Sequence, residues 1–368
     1  MTQEEIDIKY MKRALELARK GEGRTAPNPM VGCVVVKDGE IIGEGFHEEY
    51  GKFHAERNAL NSLKESAEGA ELYVTLEPCC HYGKTPPCTE VIIEHKIKRV
   101  IVACVDENPL VGGQGIEILR KHGIDVTVGV LKKEALKLNE VFFHYISKKR
   151  PFIAMKYAMT LDGKIATVSK DSKWVTSEES RKYVQVLRNR YKAILVGIHT
   201  VLEDDPMLNC RMEGGVDPVR IILDSKLRIP LESNIVKTAK EIKTIIVTTK
   251  AAGGKKEKLM SFGLELIEME NEIRLPELMM KLGERNIDSI LVEGGGRVHG
   301  SFLQENLVDR VYAFIAPKLI GGADALSPVE GEGIQKMTDA VKLKDTECTM
   351  IQNDILITGR VEKCLQES

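Results

Sequence analysis

From His54 to Cys88 the chain reads HAERNALNSLKESAEGAELYVTLEPCCHYGKTPPC, and this stretch decides the fold of the first half. Apolar residues fall at helical spacing from Ala55 to Leu63, a strand fits Glu71 to Leu76, and a further helix starts near Cys88 and continues through Val91 to Glu94. Upstream, Val31 to Val36 and Ile41 to Phe46 flank Lys37-Asp38-Gly39-Glu40, which predicts an antiparallel hairpin turning at Asp38-Gly39. Ile6 to Arg19 has the pattern of an amphipathic helix. The alternation continues through Val100 to Val105, Ile116 to Lys121 and Val126 to Val128, so helices layered on a sheet are expected.

The whole chain has 368 residues, enough for two or three domains. Ser147-Lys148-Lys149-Arg150-Pro151 is polar, basic and closed by proline, and new strand patterns follow it at once, which predicts domains at 1–147 and 148–368. Downstream strands are expected at Ile153 to Ala158, Ala193 to Val196, Val219 to Leu223, Thr244 to Val247, Ser289 to Val292 and Val311 to Ile315. Glu178 to Arg190 and Pro276 to Glu284 read as helices, and the glycine- and lysine-rich Ala251 to Lys258 reads as an exposed loop. With 53 Lys and Arg against 55 Asp and Glu, the formal charge of −2 offers no basic field for nucleic acid or anionic membranes. No apolar run suffices to span a bilayer, the start MTQEEIDIKY lacks signal-peptide character, and eight cysteines are too few for a disulfide scaffold. A cytoplasmic protein acting on small molecules is expected, with a homo-oligomer left open.

His54, Cys79 and Cys88 are zinc-compatible donors, and three protein ligands leave a fourth tetrahedral position for water, as in catalytic sites. Glu56 stands two residues from the ligand histidine, where its carboxylate can take a proton from that water and deliver it to a leaving amine. Taken singly, His54 would be a helix cap and the cysteines small buried apolar groups; the combination points to metal. A structural zinc site would need a fourth ligand, for which Cys80 or His81 could serve. The pattern H-x-E, then P-C and a second Cys, is that of zinc nucleoside and nucleobase deaminases, with eight residues between the cysteines in place of two. Other readings are a nucleoside or tRNA deaminase fused to an unrelated dehydrogenase, and a zinc-stabilised scaffold.

In the second half, Leu161-Asp162-Gly163-Lys164 turns sharply after a strand, and Ser172, Trp174, Thr176 and Ser177 precede a helix. Glu293-Gly294-Gly295-Gly296 joins a strand to a helix, a place where a pyrophosphate can approach the backbone, although the spacing is not G-x-G-x-x-G. The runs Pro27-Asn28-Pro29, Val31-Gly32, His54-Ala55-Glu56, Thr75-Leu76-Glu77-Pro78-Cys79 and Lys84-Thr85-Pro86-Pro87-Cys88, with Glu203-Asp204-Asp205-Pro206, resemble the bifunctional riboflavin-biosynthesis deaminase/reductases over nearly the whole chain. Ala26 and Cys80 depart from residues frequent in that family, and neither is a zinc ligand.

The resemblance implies a cytidine-deaminase-like α/β/α zinc domain followed by a dihydrofolate-reductase-like α/β domain that uses NADPH. It implies zinc on His54, Cys79 and Cys88, proton transfer by Glu56, and a pyrimidine ribosyl phosphate held by Asn28 in the first domain. In the second it implies substrate contacts from Ser172, Arg188, Leu208, Arg211 and Glu293, and an NADPH site lined by Ala158, Trp174, Thr200, Asp204, Ser225 and Gly295. The proton donor of the reduction stays open between Asp204 and Lys156.

Overall fold

A computed structural model describes residues 1–82, 86–106, 112–249 and 253–362; Lys84 and Thr85 of the insert, and Ala251 of the expected loop, lie outside them. The chain divides into two compact units, Met1–Lys149 and Arg150–Ser368.

In the first unit the helices are α1 (Gln3–Arg19), α2 (Ala55–Asn61), α3 (Cys88–Glu94), α4 (Gln114–Lys121), α5 (Lys132–Leu138) and α6 (Glu140–Lys148). The strands β1 (Gly32–Lys37), β2 (Glu40–Phe46), β3 (Glu71–Val74), β4 (Arg99–Val102) and β5 (Asp125–Val128) form one sheet in the order β2-β1-β3-β4-β5. The Asp38-Gly39 turn joins β1 and β2 as an antiparallel pair, with both residues at positive φ, as a tight hairpin requires.

Register explains why helices cover both faces. Gly32 lies opposite Phe46 and Cys33 opposite Gly45, so the two glycines point to opposite faces of the sheet. A Cβ on Gly32 would stand 1.9 Å from the Ala14 carbonyl oxygen of α1, and one on Gly45 2.2 Å from the Ala59 nitrogen of α2. Glycine at each place lets a helix backbone lie directly on the sheet, α1 on one face and α2 on the other. The second contact sets the depth of α2, whose first turn carries His54 and Glu56. Thr2 caps α1 through the Glu5 N–H, and the Glu5 carboxylate accepts from the Thr2 N–H.

In the second unit the strands are β6 (Phe152–Thr160), β7 (Ala193–Gly197), β8 (Val219–Leu223), β9 (Thr244–Thr248), β10 (Glu265–Glu268), β11 (Ser289–Val292), β12 (Arg310–Ala316), β13 (Leu343–Ile351) and β14 (Asp354–Val361). Its helices are α7 (Glu178–Arg190), α8 (Ile198–Asp204), α9 (Asn234–Lys237), α10 (Gly253–Ser261), α11 (Leu275–Glu284) and α12 (Gly296–Gln304). The sheet order is β10-β9-β8-β7-β11-β6-β12-β14-β13, parallel as far as β12 and then antiparallel. Strands buried on both faces read as continuous apolar runs, as in Ile194-Leu195-Val196. The expected loop at Ala251 to Lys258 is corrected: from Gly253 the chain is helix α10, whose Leu259 is buried in the core beside Ile246 and Leu264. Among the described residues no helix is long and apolar enough to cross a membrane.

Candidate metal centre and reductase cleft

Local structure brings the three donors together. His54 is the residue before α2, Cys79 follows β3, and Cys88 begins α3. His54 Nδ1 lies 3.4 Å from Cys79 Sγ and 3.5 Å from Cys88 Sγ, and all three ligand atoms fall within 4.8 Å of one another. Zinc bonds of about 2.3 Å to sulfur and about 2.0 Å to nitrogen at a tetrahedral angle place N and S about 3.5 Å apart. The donor set therefore fits a zinc ion by both distance and chemistry. The N–H of Cys88, at the start of α3, donates to Cys79 Sγ at 3.3 Å. Its contact with Cys88, and then His54, holds the Cys79 thiol well below the ordinary range, while that contact and burial push Cys88 up.

Neither proposed fourth ligand joins the set. Cys80 Sγ turns toward Gln114 Oε1, 4.0 Å away, and His81 is exposed at the cavity wall. The Glu56 carboxyl is only 3% exposed; burial, helped by the negative charge at Cys79, raises it to about 7. A carboxyl at that value gives up and takes back a proton near neutral pH.

His54, Glu56, Cys79 and His81 share a cavity of about 380 Å³ with Asn28, His47, Tyr50, Lys52, Phe142 and Tyr145. His47, missed at the level of sequence, stands edge-on to His54 with ring centroids 5.5 Å apart. It hydrogen-bonds the Phe53 carbonyl through Nδ1 at 3.0 Å and meets the Asn28 amide at 3.3 Å through Nε2. A carbonyl only accepts, so Nδ1 carries the proton and Nε2 receives the Asn28 N–H. Histidines without a metal-spacing partner carry no local signal, and only the fold reveals this one.

In the second unit the carboxyl ends of the parallel strands gather most of the expected residues, as open α/β sheets favour. Thr200 and Asp204 lie on α8 after β7, Ser225 follows β8, and Glu293 to Gly295 follow β11. Gly295 has φ 72°, and a Cβ on Gly294 would stand 2.6 Å from Val196 Cβ, so this turn packs against β7 and leaves Gly295 exposed before α12.

Arg188 of α7 and Glu293, 105 residues apart, form a two-pronged pair at 2.8 and 2.9 Å, and the third arm of Arg188 donates to the Asn209 carbonyl at 3.0 Å. Burial acts to raise the Glu293 carboxyl, but Arg188 and then Lys156 outweigh it and hold it at about 2. Lys156 is lowered by burial and faces the Phe314 ring at 5.8 Å, whereas Asp204 is exposed. The Leu208 side chain is 3% exposed and packs in the core with Ile222 and Leu227, which leaves it unavailable to a ligand.

Arg211 is exposed, with its N–H bound to Gln185 Oε1 at 3.0 Å, and it adds to the field on Glu293. Trp174 is 63% exposed beneath the Arg181 guanidinium, 4.5 Å from its ring centre, and Lys318 Nζ donates to its carbonyl at 2.8 Å. Ser172 is half-buried two residues before it, and Ala158 lies on β6.

Two family models match the chain: the cytidine and deoxycytidylate deaminase zinc-binding region over residues 4–104, and the RibD C-terminal domain over residues 151–357. The riboflavin biosynthesis protein RibD of Actinobacillus pleuropneumoniae is 51% identical over 354 residues, covering 95% of this chain and 94% of its own. The chain belongs to the RibD family. A solved RibD structure from Acinetobacter baumannii matches with a TM-score of 0.90 at 36% identity, over 98% of this chain and all of that one. A diaminohydroxyphosphoribosylaminopyrimidine deaminase/5-amino-6-(5-phosphoribosylamino)uracil reductase from Thermotoga maritima matches at 0.87 and 41%, over the same shares of the two chains. The chain is a bifunctional deaminase and reductase of riboflavin biosynthesis, with a cytidine-deaminase-like first domain, a RibD C-terminal reductase domain second, and zinc and NADPH as cofactors. Its substrates are small molecules.

Proposed function

We propose that the first unit hydrolytically deaminates 2,5-diamino-6-ribosylamino-4(3H)-pyrimidinone 5′-phosphate, and that the second reduces the ribosyl chain of the product to ribityl. The observation that carries the first half is the His54, Cys79 and Cys88 set at tetrahedral spacing beside the buried Glu56. Those three residues hold zinc, which when bound polarises water and supplies the nucleophile. Glu56 accepts a proton at its carboxylate and passes it to the departing amine. Asn28, its amide oriented by His47, contacts the pyrimidine edge, and the half-enclosed cavity limits water around the reacting ring.

In the second unit NADPH, when bound, would supply the hydride for the open-chain ribose C1. Trp174, Thr200, Asp204, Ser225, Ala158 and the Gly295 turn line its site. Arg188 holds Glu293 in place, Arg211 offers its guanidinium to the phosphate, and Ser172 and the Leu208 main chain complete the substrate side. Both steps belong to the cytoplasm in this reading, where thiols stay reduced; no disulfide joins the described cysteines.

Chelation tests the assignment. Removing zinc is expected to stop ammonia release reversibly while circular dichroism stays unchanged and NADPH-dependent reduction of supplied deaminated product continues. Unfolding of the first unit on chelation would mark a structural site instead.

A further inference from the structure

We propose that helix α6, docked by Asn139 onto the Asn28 loop, is the wall of the deaminase cavity that selects the ribosylaminopyrimidine. This rests on the reading of that cavity as the deamination site. The matched deaminase zinc-binding region ends at residue 104, and it already contains the zinc ligands, Glu56, Asn28 and His47. Those groups serve the reacting edge that amino-pyrimidines share. What distinguishes one such substrate from another must touch the rest of the cavity: Tyr50, Lys52 and His81 line it from within the matched region, and α6 adds its apolar wall from outside that region.

Phe142, Tyr145 and Ile146 stand at i, i+3 and i+4, hence on one face of α6, and all three line the cavity. They are half-buried, Phe142 also packing against the core, whereas Phe143, about 100° further round the helix, is 7% exposed in the core. The helix thus has two apolar faces, and the second is turned to a ligand space of about 380 Å³. A planar heteroaromatic ring presents polar edges and apolar faces; Asn28 and Glu56 suit the edges, and an aromatic wall suits a face.

Asn139 fixes where that wall stands. It is 2% exposed, accepts the Met30 N–H at 2.8 Å and donates to the Met30 carbonyl at 2.8 Å. One carboxamide therefore satisfies both main-chain groups of a residue two positions from Asn28, and ties the α5–α6 junction to the loop that carries the predicted substrate contact. Asn139 is a positioning residue. Phe142 and Tyr145 are the specificity determinants.

The test compares steady-state ammonia release from the diaminopyrimidine ribosyl phosphate by the zinc-loaded full chain and its Phe142→Ala, Tyr145→Ala and Asn139→Leu variants. KM is expected to rise about tenfold or more with kcat held within about threefold, because the lost contacts act on binding rather than on the bond being broken. Phe142→Leu, which keeps apolar bulk, should retain most of the wild-type KM. Selectivity over deoxycytidylate, measured as the ratio of kcat/KM, should fall in the alanine variants. Zinc content and NADPH-dependent reduction of supplied deaminated product should be unchanged in each. Should Asn139→Leu not fold, the half-exposed Tyr145→Ala carries the same test. An unchanged KM in both alanine variants, or a fall confined to kcat, overturns the role of α6 and leaves the deaminase reading standing. No ammonia release from this compound by the wild type overturns that reading, and the inference with it.

Discussion

Replacing Glu56 with Gln is expected to cut ammonia release by about 10²–10⁴-fold, the usual worth of a positioned proton-transfer group. The change is isosteric, so the buried place at the first turn of α2 stays filled and the His54, Cys79 and Cys88 spacing is kept. What is lost is a carboxyl raised to about 7, which an amide cannot replace because it neither takes nor gives a proton at that pH. Zinc content measured by atomic absorption should match the wild type. Reduction of supplied deaminated product should also continue at the wild-type rate, since Glu56 belongs to the first unit. A variant that keeps ammonia release within about tenfold of the wild type would remove Glu56 from the chemistry.

The second large effect is expected at Arg188. Arg188→Ala leaves the Glu293 carboxylate, with 9% of its side chain exposed, without its two-pronged partner. Breaking one side of a buried ion pair costs about 3–5 kcal/mol. The reductase should lose activity and the second unit should melt earlier, while deamination persists.

The pH dependence follows from the same pair. Glu293 is held at about 2 in the folded chain against 4.5 for a free glutamate. Its pairing therefore contributes stability that is fully present above the unfolded value and is lost as pH falls through the folded one. The gap in melting temperature between wild type and Arg188→Ala should be widest at neutral pH and should close toward pH of about 2. The double variant Arg188→Leu with Glu293→Leu should regain stability but not reductase activity, because apolar side chains replace the buried pair without its electrostatic role. Equal melting temperatures for wild type and Arg188→Ala at neutral pH would contradict this account.

That His54, Cys79 and Cys88 come together was legible because ligand chemistry confines such donors to few residue types, and because helix starts after β2 and at Cys88 were visible in the apolar spacing. Arg188 and Glu293 were named through resemblance, but their mutual pairing was not, since 105 intervening residues carry no record of which side chains meet. Strand β13 escaped notice for a different reason. Its residues from Lys344 to Met350 are exposed, so no alternation of apolar and polar marks it, and its pairing with β14 alone makes it a strand.

At α10, glycines and lysines suggested a loop, yet Lys, Glu, Leu and Met are good helix formers and burial of Leu259 outweighs the cost of two N-terminal glycines. The role of α6 lay beyond reach because an amphipathic pattern does not say whether its apolar face meets a core or a ligand space. Asn139 looks like any polar residue until Met30 is seen against it.

The claim that one chain carries two successive reactions is tested most directly by following ammonia and NADPH together with the zinc-loaded protein and the diaminopyrimidine ribosyl phosphate. Ammonia is predicted to appear with or without NADPH, and NADPH oxidation to begin only as deaminated product accumulates and to end at an equal amount. Oxidation of NADPH with no ammonia released, or ammonia release that requires NADPH, would contradict it.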